Sequence, residues 1–256
     1  MYRTLLAAVL SLALAQAQSP KFEVASVKLC PPGKRPGGIR PSAGGDRYVA
    51  DACPLRLMLQ VAYRMRNEQI SGGPGWLDTD LWDIQAKAEK PSTSEELHVM
   101  LQDLLVERFQ LKFHREKKEM PIYALTVDKG GPKFQKNEAK SAGDIWIDVQ
   151  QPQFLHMKWH ATFAPMDFFA WRLALALDRP VVDMTDLKGV FDFDLNYTRD
   201  LPPNIPEGAQ LNGQPIDTSG LNIFEALKQQ LGLKLERQKG PVETIVIDHV
   251  EKAAEN

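Results

Sequence analysis

The chain has 256 residues, of which 43% are apolar and 25% are charged, and its formal net charge is −2. This length is sufficient for one large domain or two small ones with a substantial core. The near-neutral charge gives no electrostatic footprint for nucleic acid, so we expect no nucleic-acid partner.

Residues 1–17 have the pattern of a signal peptide. Arg3 is followed by an apolar run from Leu5 to Leu14, and Ala15-Gln-Ala17 supplies the small residues of a cleavage site. The run is about ten residues long, whereas a membrane-spanning helix needs roughly 20. We therefore expect an exported chain, periplasmic or extracellular, that has no membrane span after cleavage.

Two cysteines, Cys30 and Cys53, flank a segment rich in proline and glycine. An exported protein permits a disulfide between them. Such a bond would stabilise the fold by about 3–4 kcal/mol on chain-entropy grounds. We favour this disulfide over the alternative of two unpaired thiols, one or both of them buried.

The first half, residues 18–135, reads as an alternation of strands and helices. The Ser92-Thr-Ser-Glu95 segment resembles a capping box, with Ser92 as the cap. Pro121 is expected to open the second strand of a hairpin. The predicted strands are 22–28, 47–50, 81–88, 109–114 and 122–128, and the predicted helices start at Pro54 and at residue 92, the second ending near Arg108.

The second half, residues 136–256, repeats this order. Its clearest difference is the loop Arg199–Gly220, which holds four prolines and reads as an insertion. The predicted strands are 154–160, 180–183, 190–197, 233–238 and 242–250, and the predicted helices are 165–177 and 223–231.

A comparison of the two halves suggests an internal duplication. Residues 105–117 align with 227–239, and five of these 13 positions are identical. The identical pairs are Leu105/Leu227, Leu111/Leu233, Lys112/Lys234, Arg115/Arg237 and Lys117/Lys239, and beyond a two-residue deletion Pro121 aligns with Pro241. The alternative is chance similarity of two amphipathic units. We predict an α+β protein with two similar strand-helix-strand-strand-helix-strand-strand halves.

No metal site or cofactor is predicted. His156 and His160 are four residues apart, but their segment alternates as a strand, which separates them by roughly 13 Å. One zinc ion cannot bind both at that distance. Asp192-Phe-Asp-Leu-Asn196 resembles the start of a calcium loop without the later glycine and glutamate that such a loop requires.

No catalytic residue is predicted either. Asp217-Thr-Ser-Gly220 resembles the loop of an aspartic protease, but no equivalent second loop exists to complete the pair of aspartates. We expect Thr218 or Ser219 to cap the helix that starts near Leu221. The nucleophile elbow Gly-x-Ser-x-Gly is absent from the sequence.

Aromatic residues supply the remaining candidate for a ligand site. Trp76 and Trp82 flank the acidic turn that contains Asp78 and Asp80, and together they could form a stacking surface for a sugar or a peptide. The alternative is structural, with Trp82 in the core and Trp76 packed over the turn.

Several segments together resemble one family. They are Phe22–Lys28, Leu105–His114, Met120–Leu125, Arg179–Asp183, Gly189–Phe193 and Val246–Lys252. The chain is similar to the soil-bacterial, Solibacter-type exported proteins of domain of unknown function 3738. It differs from the family pattern at Asp186, where a turn has glycine, and at Ala253, where a proline is usual. Asp tolerates a positive φ less well than Gly.

The resemblance implies a role outside the cytoplasm, because related domains occur fused to membrane sensor-peptidases. It supplies no catalytic residues. We therefore expect a non-enzymatic binding or sensing module for a peptide, an envelope component or a partner protein. The alternatives are an envelope hydrolase with a non-signature active site and a structural component of an envelope or secretion assembly.

Overall fold

The computed structural model describes residues 20–41, 45–138 and 145–254. The predicted signal peptide lies outside these residues. Within them, no helix has both the length and the apolar character needed to cross a membrane. Helices and several sheets are both present, so the protein is a mixed α+β protein.

The first half builds a four-stranded antiparallel sheet. Its strands are β1 (Phe22–Leu29), β2 (Ile39–Pro41), β3 (Arg47–Pro54) and β5 (Leu81–Ala88), in the spatial order β1-β5-β3-β2. The alternating sequence of β5 places Trp82, Ile84 and Ala86 on its buried face, as predicted. The short strand β2 lies in a segment that the sequence predicts as a loop.

Three helices accompany this sheet: α1 (Leu55–Ala62), α2 (Trp76–Thr79) and α3 (Ser94–Arg108). The capping box of α3 lies one residue later than predicted. Thr93 accepts from the Glu96 backbone N–H, and the Glu96 carboxylate accepts from the Thr93 N–H. The Ser92 hydroxyl instead donates to the Lys90 carbonyl at 3.1 Å.

The second half builds a sheet with the same arrangement. Its strands are β7 (Gln135–Lys136), β8 (Trp146–Gln150), β9 (His156–Ala164) and β11 (Phe191–Thr198), in the order β7-β11-β9-β8. Helix α4 (Met166–Ala176) follows β9 just as α1 follows β3. The insertion contributes its own hairpin, β12 (Gln210–Leu211) and β13 (Gln214–Pro215).

Helix α5 (Ile223–Ala226) continues into a π-helical turn over Leu227–Leu231. The predicted cap was wrong, because Asn222 caps this helix by accepting from the backbone N–H groups of Phe224 and Glu225 at 3.0 Å each. An asparagine next to the first turn reaches these two free N–H groups directly.

A central sheet joins the halves. Its two long strands, β6 (Lys112–Val127) and β14 (Leu233–His249), pair antiparallel along almost their whole length. The short strands β4 (Ile70–Gly72) and β10 (Val181–Asp183) flank them, so the order is β10-β6-β14-β4. Each short strand pairs in parallel with the long strand of the other half.

The predicted hairpin at Pro121 was therefore wrong, because β6 continues through this proline. The Tyr123 N–H donates to Pro180 on the β10 side of the strand. Residue 121 is two positions earlier in the same strand, so its backbone nitrogen points to the same side as that of Tyr123. Strand β10 pairs only with residues 123–125 and does not reach residue 121. The N–H that proline lacks would point into an open edge, so no ladder hydrogen bond is lost.

Two hydrophobic cores result, and each takes residues from both halves. The first core contains α1, α3 and β5 together with Ile245 and Ile247 of β14. The second contains α4, β9 and β11 together with Leu125 of β6. The predicted boundary between halves 18–135 and 136–256 falls inside β7, and each long strand contributes to both cores, since Phe113 of β6 packs against the first core and Leu233 of β14 lies in the second.

Matching bulges interrupt β3 and β9. Ala52 and Phe163 have φ of 44° and 50°, and the pairing register shifts at both places. Asp83 on β5 accepts from the Ala52 N–H at 2.8 Å, and Asp192 on β11 accepts from the Phe163 N–H at 2.8 Å. These carboxylates hold the two non-glycine residues in the left-handed region, where L side chains are strained.

The cysteines are free in the structure, and the predicted disulfide was wrong. The Cys30 N–H donates to Leu81, and Cys53 pairs with Trp82, so the two cysteines lie on opposite sides of β5. Two inter-strand spacings separate them, roughly 9–10 Å. A disulfide requires Cα atoms within about 7 Å.

The turn at residues 185–189 keeps a left-handed residue at Asp186, where the resemblance described above predicts glycine. Asp186 has a φ of 58°. Around it, Asp183 accepts from the Thr185 N–H at 2.9 Å, and the Thr185 hydroxyl oxygen accepts from the Leu187 N–H at 3.2 Å. These local bonds define the turn, and Asp is one of the residues that enter this region most readily.

Candidate functional site

A cavity of about 340 Å³ lies where the two halves face each other. Its walls come from α1 and β2 of the first half and from α4 and β8 of the second. Polar contributions come from Tyr48, His98, Arg64 and Arg172. The apolar lining consists of Ile39, Pro41, Leu57, Val61, Ile145, Trp146, Ile147, Val149, Phe168, Trp171 and Leu175.

Topologically matching positions of the two halves line this cavity. Counted along the chain from the bulge residues Ala52 and Phe163, the cavity residues of α1 and α4 have the same spacing. The equivalent pairs are Leu57/Phe168, Gln60/Trp171, Val61/Arg172 and Arg64/Leu175. The edge strands β2 and β8 also match, since Ile39 pairs with Ala50 of β3 and Ile147 with Ala161 of β9. The matching positions differ in chemistry, because Arg64 corresponds to the apolar Leu175 and Arg172 corresponds to the apolar Val61.

Arg172 is the most unusual group of this site. Burial lowers the pKa of its guanidinium. No carboxylate pairs with it among the residues that the structure describes, and its Nε is buried without a hydrogen-bond partner. Its Cζ lies 6.0 Å from the ring centre of Trp159 and 5.8 Å from that of Trp171. Aromatic faces stabilise a cation at such distances, but they accept none of its donors in line.

The other charged groups near the cavity balance one another. Arg64 forms an ion pair with Glu95 and lies over the Phe168 ring at 4.9 Å. Arg40 on β2 and Asp148 on β8 line the same cavity with opposite charges. Arg172 therefore leaves one positive charge uncompensated.

A neutral histidine and a tyrosine also belong to the polar lining, together with Gln60 and Ser94. His98 Nδ1 lies 2.6 Å from the Ser94 carbonyl, which can only accept, so Nδ1 carries the proton. Nε2 then accepts from the Tyr48 hydroxyl at 3.2 Å. Burial lowers the pKa of His98 and raises that of Tyr48, so both are uncharged at neutral pH.

The four residues that the sequence offered as ligand candidates lie elsewhere. Trp82 is 1% exposed, and its ring packs edge-on against Phe109 at 5.0 Å, so it has no face for a ligand. Trp76 is half-buried against the same cluster. Asp78 pairs with Arg56 at 2.8 Å, and Asp80 pairs with Lys252 at 2.6 Å. This arrangement matches the structural interpretation of the turn.

A second polar cluster surrounds His156 at the base of the insertion. Its Nδ1 lies 3.2 Å from the Thr198 hydroxyl, and its Nε2 lies 3.2 Å from Asp217. The Thr198 hydroxyl donates to the Ser219 carbonyl at 2.7 Å and is largely buried. His160, in the middle of the same strand, pairs with Asp194 at 2.9 Å. In the described ranges, no three histidine, cysteine or acidic side chains come together as a metal site.

The cavity was not predicted from the sequence, although the sequence of α4 contains a usable signal. Met166-Asp-Phe-Phe-Ala-Trp-Arg-Leu-Ala-Leu-Ala176 is apolar on every face except at Asp167 and Arg172. Arginine is almost never buried without a partner. A lone arginine in such a helix indicates a partly buried charge.

The comparisons with known proteins agree with the resemblance noted in the sequence. No curated protein and no solved structure matches the chain significantly. A family model, described as a protein of unknown function (DUF3738), matches residues 56–250. This match includes α1, α4 and the long strands, and excludes β1, β2 and β3. Because it covers most of the chain, the protein belongs to the DUF3738 family.

Proposed function

We propose that this protein is an exported, non-enzymatic binding or sensing module whose ligand occupies the cavity between the two halves. The observation that carries this proposal is the cavity itself, which combines an apolar lining with an unpaired arginine. Binding sites for small ligands are commonly of this size and this composition, with few polar groups. An extracytoplasmic location rests on the signal-peptide pattern of residues 1–17.

The chemistry of the lining supports a binding role. Trp146 is 48% exposed and Leu175 is 47% exposed, although both are large apolar residues at the cavity. Apolar surface of this kind is stabilised when a ligand covers it. The titratable pair Tyr48 and His98 is held neutral by burial.

The test uses the neutral fluorophore Nile red and the mature chain. We expect saturable binding with a blue-shifted emission. Val61→Phe fills the cavity from α1 and should weaken binding by more than about tenfold. The matched control is Val106→Phe on α3, since Val106 is exposed and lies outside the cavity lining. If Val61→Phe and Val106→Phe bind Nile red equally well, the cavity is not the binding site.

We also propose that the halves arose by duplication of one unit. The matching strand orders, the matching bulges at Ala52 and Phe163, and the equivalent carboxylates Asp83 and Asp192 support this origin. In the central ladder, Met120 pairs with Gly240. These residues are one position before Pro121 and Pro241, as expected if a pseudo-twofold axis relates the long strands.

An envelope hydrolase is the second candidate, favoured only by the cluster at His156. Thr198, His156 and Asp217 are in the order of nucleophile, base and orienting acid. The Thr198 proton, however, is donated to the Ser219 carbonyl rather than to His156. Turnover of an ester or peptide panel that Thr198→Val abolishes would favour this candidate over the binding module.

A further inference from the structure

We propose that the ligand is a monocarboxylate with an apolar body, bound through its carboxylate to the guanidinium of Arg172. This inference rests on the proposed function, because it assigns the ligand class of the same cavity. It goes further by naming the group that selects the ligand.

The first argument is the supply of donors without acceptors. Arg172 and Trp171 both line the cavity, and Arg172 Nε and Trp171 Nε1 are buried without hydrogen-bond partners. Buried donors of this kind carry a penalty until an acceptor reaches them. An ionised carboxylate is a pure acceptor, with two oxygens available to N–H donors.

The second argument is the charge. Arg64 is paired with Glu95, and Arg40 and Asp148 contribute opposite formal charges to the lining, so the sum of the lining charges leaves the positive charge of Arg172 in excess. A monoanion compensates this charge, whereas a dianion such as a phosphate monoester would leave one negative charge unpaired. The planar guanidinium also fits the two oxygens of a carboxylate side by side.

The third argument is the space. A cavity of about 340 Å³ holds on the order of ten carbon-sized atoms, at the roughly 30 Å³ that one water occupies in the liquid. The remaining walls at Leu57, Phe168 and Trp146 are apolar. The body of the ligand is therefore a medium-length alkyl chain or a comparable ring system.

The experiment measures displacement of Nile red by four probes of equal chain length. Decanoate is compared with 1-decanol, decyl sulfate and decylammonium. We expect decanoate to compete best, by about 10–100-fold over 1-decanol, because a hydrogen bond to a charged group is added. Equal competition by decanoate and 1-decanol would overturn the carboxylate assignment and leave the binding module standing. Tighter competition by decyl sulfate would also overturn it, in favour of a sulfate ester.

Variants then identify the selecting residue. Arg172→Met should remove the preference for decanoate over 1-decanol while leaving 1-decanol within about twofold, since only the charged contact is lost. Arg237→Met is the control, because Arg237 also lies over an aromatic ring, that of Tyr123 at 6.0 Å, but outside the cavity. A decanoate preference that survives Arg172→Met would refute the role of Arg172.

A measurement on the unaltered protein covers the case in which Arg172→Met does not fold. The pH titration of carboxyl-labelled decanoate, followed by ¹³C NMR, reports its ionisation directly. A bound carboxylate beside an arginine stays ionised to lower pH than the free acid. A bound pKa at or above that of the free acid would refute the ion pair. Absence of both Nile red and decanoate binding would refute the proposed function itself.

Discussion

Replacing Asp83 by alanine should release the left-handed bulge of β3. In the folded protein, the carboxylate accepts from the Ala52 N–H at 2.8 Å and from Lys34 Nζ at 2.8 Å. The bulge directly precedes α1, whose residues line the cavity, so its conformation also sets the position of one cavity wall.

Asp83→Ala is expected to lower the free energy of unfolding by about 2–3 kcal/mol. Ala52 is fully buried, so an unsatisfied N–H there costs about 1–3 kcal/mol. The ion pair adds little, about 0–1 kcal/mol, because the side chains of Lys34 and Asp83 are 33% and 36% exposed. Asp83→Asn keeps an acceptor for the N–H and should cost less than about 1 kcal/mol.

Thermal unfolding distinguishes these variants. At roughly 2–4 °C per kcal/mol for a chain of this size, Asp83→Ala should lower Tm by about 4–12 °C and Asp83→Asn by less than about 4 °C. Asp192→Ala is the matched comparison, with a smaller loss because Phe163 is only half-buried. Equal Tm values for Asp83→Ala and Asp83→Asn would show that the carboxylate does not hold the bulge.

The same variants predict a dependence on pH. Partial burial acts to raise the pKa of Asp83, but the hydrogen bonds from Lys34 and from the Ala52 N–H outweigh it and lower the pKa. A carboxyl whose folded pKa lies below its unfolded value of about 3.9 stabilises the fold above that pH. This contribution is lost as the pH falls through the folded pKa. The gap in Tm between the unaltered protein and Asp83→Asn should therefore narrow from pH 7 to pH 3.

Three further predictions follow from single contacts. Both thiols should react with a thiol reagent in denaturant without reductant. In the native state Cys53 should not react, because burial raises its pKa to about 12. A missing thiol signal in denaturant would show that the disulfide exists. Gly232→Gln should destabilise the fold by more than about 2 kcal/mol, because a Cβ there would meet the Gly131 carbonyl oxygen at 2.0 Å. Gln110 stands at the matching helix end with a φ of 47°, so Gln110→Gly should stabilise the fold by about 0.5–1 kcal/mol. Calorimetry that gives both variants a stability change of the same sign would contradict this reasoning. Partial burial lowers the pKa of His98, so the stability of the fold should decrease as the pH drops below about 6.5. His98→Phe should lessen that decrease in Tm between pH 7.5 and pH 5.

Local elements were largely predictable from the sequence. The alternation of β5 and the 3.6-residue spacing of Leu55, Met58, Leu59 and Ala62 in α1 gave the correct buried faces. These patterns depend on neighbours a few residues apart, which the sequence contains. The order of elements in the two halves was readable for the same reason, and the duplication itself stays a proposal.

Pairing partners were not predictable in the same way. A proline inside an amphipathic strand favours a turn unless its missing N–H faces an open edge, and only the position of β10 shows that it does at Pro121. The cysteines illustrate the same limit, since the intervening strand β5 separates residues that the sequence places on either side of one loop.

The sequence by itself determined the α+β class, the boundaries of most elements, the signal-peptide pattern and the resemblance to one family. The tertiary structure alone decided that the long strands pair with each other, that the cysteines are apart, and that α1 and α4 line one cavity to which Arg172 contributes. Local periodicity specifies which face of an element is buried. It does not specify which distant element covers that face, and the candidate site lies between elements more than a hundred residues apart in the chain.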